Sequence, residues 1–599
     1  MPSYVLQDVP WGYKHRGLKY HSDKKIWVYK GATLPASLRV FKSLDFSYER
    51  WREDELNGIV SPTSRGATTF TPREHQVEGA KAIYKAYNQG WGDMLVADQT
   101  GLGKTLTALS GITAVARKAG FTNSNRGTLL IVAPKGVMPV WRQTIQNYPA
   151  STEYLRPLII SWHQLNKLLT TPSNAKVAKR RRTKNRNTAK YGKPVINWDY
   201  VIFDEAHYAK NYGTSTMSLA AENVAQLDKK YVQGKSPFVL HVTATPGSSP
   251  LNFSLMSRML STLLLRGNQA VTDNKAHLLN VPPSQWAPFL FKLGFDVREG
   301  KVEWRWAPNP WGGNSDDPEE QEKYQIALAK VRERQREDAM RIGKALKSKN
   351  APFLMRKPEE LRNWPKQQTI ALPAELSIAQ RPIYEEAWNV FRSFLNLTPK
   401  GKDPIGALAE TLRFRQKSSL LKVEQMLENV IDDVEAGKQV FISCEFIETI
   451  DRYKEALLKK RIPVAEISGR NVDERENERI RFQKGEAKVI LSTVVAGISL
   501  HAGETLPDGT KATPTERITY IHDIRQNPLN TVQALGRCHR DGVNSIAYFP
   551  FFVGTVEEKI ATSFTVKSSN MGLMTGSDQE GAEEMENHFR DAAAQAVSP

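Results

Sequence analysis

The sequence predicts an α/β protein of two doubly wound parallel-sheet lobes, a mainly helical insertion between them, and a small β-rich module at the N-terminus. Three observations predict it. Short apolar runs alternate with longer helical patterns over residues 61–270 and again over 376–566, the rhythm of β-α-β units rather than of hairpins. Polar motifs begin where those apolar runs end, at the carboxyl ends of strands, where open parallel sheets place their sites. Residues 271–375 break the alternation with a charged helical stretch. The domains therefore read as 1–60, 61–270, 271–375, 376–566 and a polar tail, 567–599, that reads as mobile.

The chain has 599 residues, enough for two or three separate cores, and a formal charge of +19, which suits a polyanionic partner, most often nucleic acid, or a solvated basic surface. Its two cysteines, Cys444 and Cys538, are too few for a zinc site and lie in core-like segments, which fits a reducing compartment without a disulfide framework. Residues 1–11 lack the basic and apolar regions of a secretory leader, and the longest apolar stretch, Leu255 to Leu265, is too short for a bilayer. The expectation is a monomer with no membrane contact, cytoplasmic in a bacterial or phage-infected cell and nuclear in a eukaryote.

In residues 1–60, Trp11, Tyr13, Tyr20, Trp27 and Tyr29 alternate with Lys14, Arg16, Lys19, Lys24, Lys25 and Lys30. Aromatics among cations suit stacking on bases and contact with phosphates, and equally suit a hairpin packing its own rings. Ile26–Gly31 alternates like a half-buried strand. Thr71-Pro72-Arg73-Glu74-His75-Gln76 then leads into a helix over Val77–Tyr87. Gln76 can read adenine, because an amide offers both a donor and an acceptor, and is equally an ordinary helix-start residue; Arg73 joins it as a candidate nucleotide contact.

Met94 to Thr105 is an apolar run ending in Gly101-Leu102-Gly103-Lys104-Thr105, with a helix opening at the end. Gly101 and Gly103 allow backbone N–H groups to approach phosphates, and a helix start adds orphan donors. Lys104 can reach β- and γ-phosphates, and the Thr105 hydroxyl can ligate Mg²⁺, so ATP and Mg²⁺ are the predicted cofactors. The strict phosphate-loop pattern wants glycine where this chain has Asp98.

Further strands are predicted at 129–132, 158–160, 201–203 and 238–240. The third ends in Asp204-Glu205-Ala206-His207, two carboxylates suited to holding a metal (Asp204) and polarising water (Glu205). The fourth ends in Thr243-Ala244-Thr245-Pro246. Lys176 to Lys190 is strongly basic and reads as a loop, open to phosphate contact, nuclear import or simple solvation. Val297–Trp306 reads as a hairpin and Glu319–Leu346 as a charged helix. The later strands are 440–442, 464–467, 489–491, 518–521 and 546–549. Gln533-Ala534-Leu535-Gly536-Arg537-Cys538-His539-Arg540 places Arg537 and Arg540 near one helical turn apart, suited to neutralising γ-phosphate charge.

Together these motifs resemble the Swi/Snf-type ATPases of helicase superfamily two. Asp98–Thr105 is similar to their D-E-M-G-L-G-K-T loop, which also has Asp first. Asp204–Asn211 is similar to D-E-A-H-x-x-K-N, Phe353-Leu354-Met355-Arg356 to P-F-x-L-R-R, Gln533–Arg540 to Q-A-x-G-R-x-x-R, and Gly554–Glu558 to G-T-x-E-E. The chain departs at Gln99 and Gln526, for the usual Glu and Trp, and at Ser499 and His501 in Ser492–His501. The resemblance implies two RecA-like lobes binding ATP and Mg²⁺, with Gln533, Arg537 and Arg540 from the second lobe. It implies an ATPase that translocates on duplex DNA, gripping mainly the backbone, at forked or branched structures or bound proteins. The alternatives are a strand-separating helicase or restriction-system motor, and a non-catalytic DNA scaffold, against which the intact Lys104, Asp204 and Glu205 argue.

Overall fold

The computed structural model describes residues 3–6, 18–21, 26–30, 71–169, 194, 196–210, 215–268, 281–296, 318–361, 367–397, 404–494, 497–506, 508–525, 528–539 and 545–576. Strands β1 (Ser3–Leu6), β2 (Leu18–His21) and β3 (Ile26–Lys30) form an antiparallel sheet in the order β1-β3-β2. Two compact units divide the chain: 1–307 with 326–356 and 573–577, and 308–325 with 357–572 and 578–599.

The main sheet of the first unit comprises β4 (Asp93–Val96), β5 (Gly127–Ala133), β6 (Leu155–Ser161), β7 (Tyr200–Asp204), β8 (Phe238–Val242) and β9 (Phe353–Leu354). Every pairing is parallel, in the order β6-β5-β7-β8-β4-β9. Helices cover such a sheet on both faces, so its strands are apolar throughout rather than alternating. Leu129–Ala133 and Val201–Phe203 are accordingly fully buried. The order places β8 between β7 and β4, so three carboxyl ends that carry polar motifs lie side by side.

In the second unit, β10 (Gln367–Ala374), β11 (Gln439–Ser443), β12 (Val464–Ile467), β13 (Val489–Ser492), β14 (Arg517–Ile521) and β15 (Ser545–Phe552) form a second all-parallel sheet, ordered β10-β15-β14-β11-β13-β12. Its faces bury separate cores: Phe441, Ile490 and Phe549 on one, Val440, Ile442, Leu491 and Tyr520 on the other. That division follows from the two-residue period of a strand.

Three expectations change. Residues 271–375 are not a free-standing insertion. Trp286, Leu290 and Phe295 join the first core, as do Ala339, Ile342 and Leu346 from helix Pro318–Leu346. The same stretch supplies an edge strand to each sheet, β9 and β10. These strands escape a periodicity reading because β9 has two residues and β10 opens on Gln367-Gln368 and contains Pro373, an edge-strand composition. The tail boundary at 567 falls inside helix Val556–Thr575, where Met571, Leu573 and Met574 are buried; the polar run Lys567-Ser568-Ser569-Asn570 just before them masks the apolar face. The hairpin expected at 297–306 and the basic stretch 176–190 lie outside the described residues. Cys444 and Cys538 are free and buried. Among the described residues, no helix is long and apolar enough to cross a membrane.

His241, in β8, is fully buried, stacks on Phe203, and has no hydrogen-bond partner among the described residues at either ring nitrogen. Burial pushes its pKa down to about 4, while Asp93 pulls upward and Arg258 downward. The ordinary histidine value is near 6.5, so as pH falls below it the unfolded chain takes up a proton that the folded chain refuses. The folded state should therefore lose roughly 3 kcal/mol between about pH 6.5 and pH 4 on this account. Denaturant unfolding at pH 7 and pH 4.5 should show His241→Phe lacking most of that loss. An identical pH dependence in variant and wild type would contradict the assignment.

Candidate functional site

The turn after β4 leads into helix Lys104–Lys118. Gly101 and Gly103 have φ of 101° and 73°. These are left-handed values that a side chain would strain. At Gly103 a Cβ would also lie 2.2 Å from Gln76 Nε2. The Lys104 ammonium donates to the carbonyls of Asp98 at 2.8 Å and Gln99 at 3.1 Å. Thr105 stands in the first helical turn, where backbone N–H groups lack intrahelical acceptors. The glycine turn thus places an ammonium, a hydroxyl and the unpaired N–H groups of a helix start together.

The Gln76 amide has partners inside the protein. Its oxygen accepts the Arg73 N–H at 2.9 Å and its nitrogen donates to the Gly103 carbonyl at 3.3 Å. That geometry joins the start of helix Glu74–Asn88 to the glycine turn, a positioning task that the adenine reading did not include. Arg73 is exposed at the same helix start.

Asp204 ends β7 and is buried. One carboxylate oxygen accepts Trp141 Nε1–H at 2.7 Å and the other accepts the Glu205 N–H at 3.0 Å, while the Asp204 carbonyl accepts Trp162 Nε1–H at 2.9 Å. Burial and the neighbouring Glu205 carboxylate push the Asp204 pKa up, against the Trp141 hydrogen bond and the Lys104 charge. A bound divalent cation would supply the missing positive charge and favour the ionised form. Sequence reasoning gave the two tryptophans no role, although both directly follow strand or turn motifs.

Glu205 is in the left-handed region, φ 50° and ψ 53°, a conformation that costs about 1–2 kcal/mol for an L residue. Its carboxylate accepts from the Thr243 hydroxyl at 3.2 Å and faces His207 Nδ1 at 3.2 Å. The Thr243 oxygen lies 3.1 Å from His207 Nδ1 and accepts the Thr245 N–H at 3.2 Å. Thr243 is fully buried, and its hydroxyl joins the acidic motif on β7 to the Thr-Ala-Thr-Pro motif on β8.

In the second unit, Gln533 lies on helix Pro528–Leu535 with its Nε2 buried and without a hydrogen-bond partner among the described residues. The expectation that Arg537 and Arg540 project from one face of a helix changes for Arg537. The helix stops at Leu535, before Gly536, and Arg537 is buried beyond it, its Nη1 donating to the Ile498 carbonyl at 3.1 Å and its own carbonyl accepting the Leu500 N–H at 3.0 Å. Arg540 lies outside the described residues. Two further arginines support the same segment: Arg517 donates to the Leu500 carbonyl at 3.2 Å and Arg479 to the Ser499 carbonyl at 3.4 Å. Gln483 donates to the His501 carbonyl at 3.2 Å. Sequence reasoning missed this set; the available signal was a charged residue, Arg517, opening an apolar strand.

Comparison with known proteins gives two family matches: residues 75–246 to the SNF2-related domain and 421–542 to the helicase conserved C-terminal domain. Switch 2 of Arabidopsis thaliana is 29% identical over 147 residues, 23% of this chain and 16% of that protein. DNA excision repair protein ERCC-6-like of Mus musculus is 22% identical over 569 residues, 86% of this chain and 42% of that protein. Putative ATP-dependent RNA helicase L364 of Acanthamoeba polyphaga mimivirus is 24% identical over 519 residues, 83% of this chain and 82% of that protein. The chain thus spans less than half of the first two relatives.

Thr243→Val keeps the shape and deletes the hydroxyl, leaving Glu205, His207 and the Thr245 N–H short of a partner. Chemical denaturation should show a loss of about 1–3 kcal/mol. A loss below about 0.5 kcal/mol would show that the hydroxyl does not hold the two motifs together.

Proposed function

The chain is a Swi/Snf-type member of helicase superfamily two, with an SNF2-related domain and a helicase C-terminal domain, and from that premise we propose that it hydrolyses ATP to move along double-stranded DNA. The observation that carries the reading is the adjacency of three strand ends: the glycine cradle after β4, Thr243 after β8, and Asp204-Glu205 at the end of β7.

Lys104 exchanges its bonds to the loop carbonyls for phosphate oxygens. Thr105 and Asp204 would hold Mg²⁺, which would neutralise phosphate charge. Glu205, oriented by Thr243 and His207, would polarise the attacking water. Arg73 and Gln76, at the start of helix Glu74–Asn88, are the proposed contacts to the base. The residues of the second unit that the family resemblance assigns to the reaction are Gln533, Arg537 and Arg540; Arg537 holds the 498–501 segment within its own unit, and Arg540 lies outside the described residues.

The DNA part of the proposal rests on chemistry of charge and on relatives. A formal charge of +19 favours a polyanion, and one relative spanning most of this chain is named a DNA excision repair protein. Backbone gripping makes tracking sequence-independent and salt-sensitive. Forked or branched duplex and DNA-bound proteins are the proposed targets. A second reading, strand separation, is favoured by the mimivirus relative, named a putative RNA helicase, which aligns over most of both chains.

Displacement of a triplex-forming strand from intact duplex, run beside release of one strand from a forked duplex, separates these readings. Translocation predicts the first without the second; efficient release of the paired strand supports the helicase reading. Lys104→Ala should lower ATP turnover by about 10²–10³-fold, as loss of a preorganised charge contact does, with DNA retention largely kept. Glu205→Gln should lose turnover while retaining bound nucleotide. Unchanged turnover in either variant would overturn the site assignment.

A further inference from the structure

Asp98 is fully buried at the head of the phosphate-loop motif, where the strict pattern has glycine and the Swi/Snf-type loop has aspartate. A buried carboxylate needs a matched cation, and the structure supplies one from far along the chain. Arg356 meets both Asp98 oxygens, Nε–Oδ1 at 3.0 Å and Nη2–Oδ2, and its Nη1 donates to the His75 carbonyl. Its backbone belongs to the same arrangement. The Arg356 carbonyl accepts the Gln99 N–H at 3.1 Å, continuing the β4–β9 pairing, in which the Leu354 carbonyl accepts the Ala97 N–H at 2.7 Å.

The other side of the same two residues faces Lys104, whose ammonium bonds the Asp98 and Gln99 carbonyls. A third contact supports the arrangement: a Cβ at Gly79, inside helix Glu74–Asn88, would lie 2.9 Å from Arg356 Nη2 and 2.5 Å from Thr107 Cγ2. A mid-helix glycine costs helical stability; here it leaves room for the guanidinium to pass.

We propose that Arg356 is a positioning residue for nucleotide binding: through Asp98 it sets the phosphate loop and the resting place of Lys104. The inference rests on the reading of residues 98–105 as an ATP site and deepens it. Arg356 acts through the Asp98 carboxylate and the Gln99 N–H rather than as a group of the cradle itself. It is the last residue of the 326–356 segment of the first unit, so the phosphate loop is bonded to a segment through which the chain leaves that unit.

The test measures affinity for a fluorescent ATP analogue with Mg²⁺ and thermal melting of the full chain, in wild type, Lys104→Ala, Arg356→Gln, Asp98→Asn and the Asp98→Asn/Arg356→Gln double variant. Arg356→Gln should weaken nucleotide binding at least tenfold. The double variant, free of the uncompensated buried carboxylate, should recover most of the melting temperature but not the affinity. A purely structural pair would recover both together, which would overturn the proposal, as would unchanged affinity in Arg356→Gln. Should Arg356→Gln fail to fold, Asp98→Asn alone decides, with the same tenfold weakening expected and unchanged affinity contradicting. If Lys104→Ala also binds like wild type, the ATP-site reading itself fails; if Lys104→Ala loses binding and Arg356→Gln does not, only the Arg356 inference does.

Discussion

One hydroxyl, that of Thr243, holds the first unit's site together. It sits at the end of the strand between the two that carry the acidic pair and the glycine turn. From there it bonds Glu205, His207 and the Thr245 N–H within one small buried volume. The constraint comes from topology: a parallel sheet ordered β7-β8-β4 leaves whatever follows β8 in the middle. The Glu205 backbone is left-handed, and these bonds to its side chain help offset that strain.

Around this centre the protein buries carboxylates and gives each a different partner. Asp98 takes the Arg356 guanidinium, Asp93 takes Arg258 in a buried pair, and Asp204 takes an indole N–H and a backbone N–H, with no guanidinium. The difference is chemically meaningful. Asp98 and Asp93 are neutralised within the chain, which makes them architectural. Asp204 is the one of the three without a full countercharge bonded to it, and burial raises its pKa accordingly. That is the state expected of a carboxylate suited to meet a divalent cation.

Much of this was legible in the residues. Long apolar runs such as Leu129–Ala133 and Val201–Phe203 announce strands buried on both faces, and the Gly-Leu-Gly-Lys-Thr turn and Asp-Glu-Ala-His motif announce their chemistry through residue type and place. What escaped was decided by tertiary contact. β9 is two residues long and exists because its neighbour's N–H groups point at it. Trp141 and Trp162 support Asp204 from separate segments, and no spacing rule connects them. Arg537 looked like a helix-borne cation, but the helix ends at Leu535 and the side chain turns to a carbonyl of the 498–501 segment.

The central claim is that turnover at the cradle after β4 is felt by duplex DNA. The direct measurement is steady-state ATP hydrolysis as linear duplex is titrated in, at low and moderate salt. The account predicts a saturable rise in turnover with duplex, weakening as salt increases. A rate that stays the same with and without duplex at both salt concentrations would contradict it.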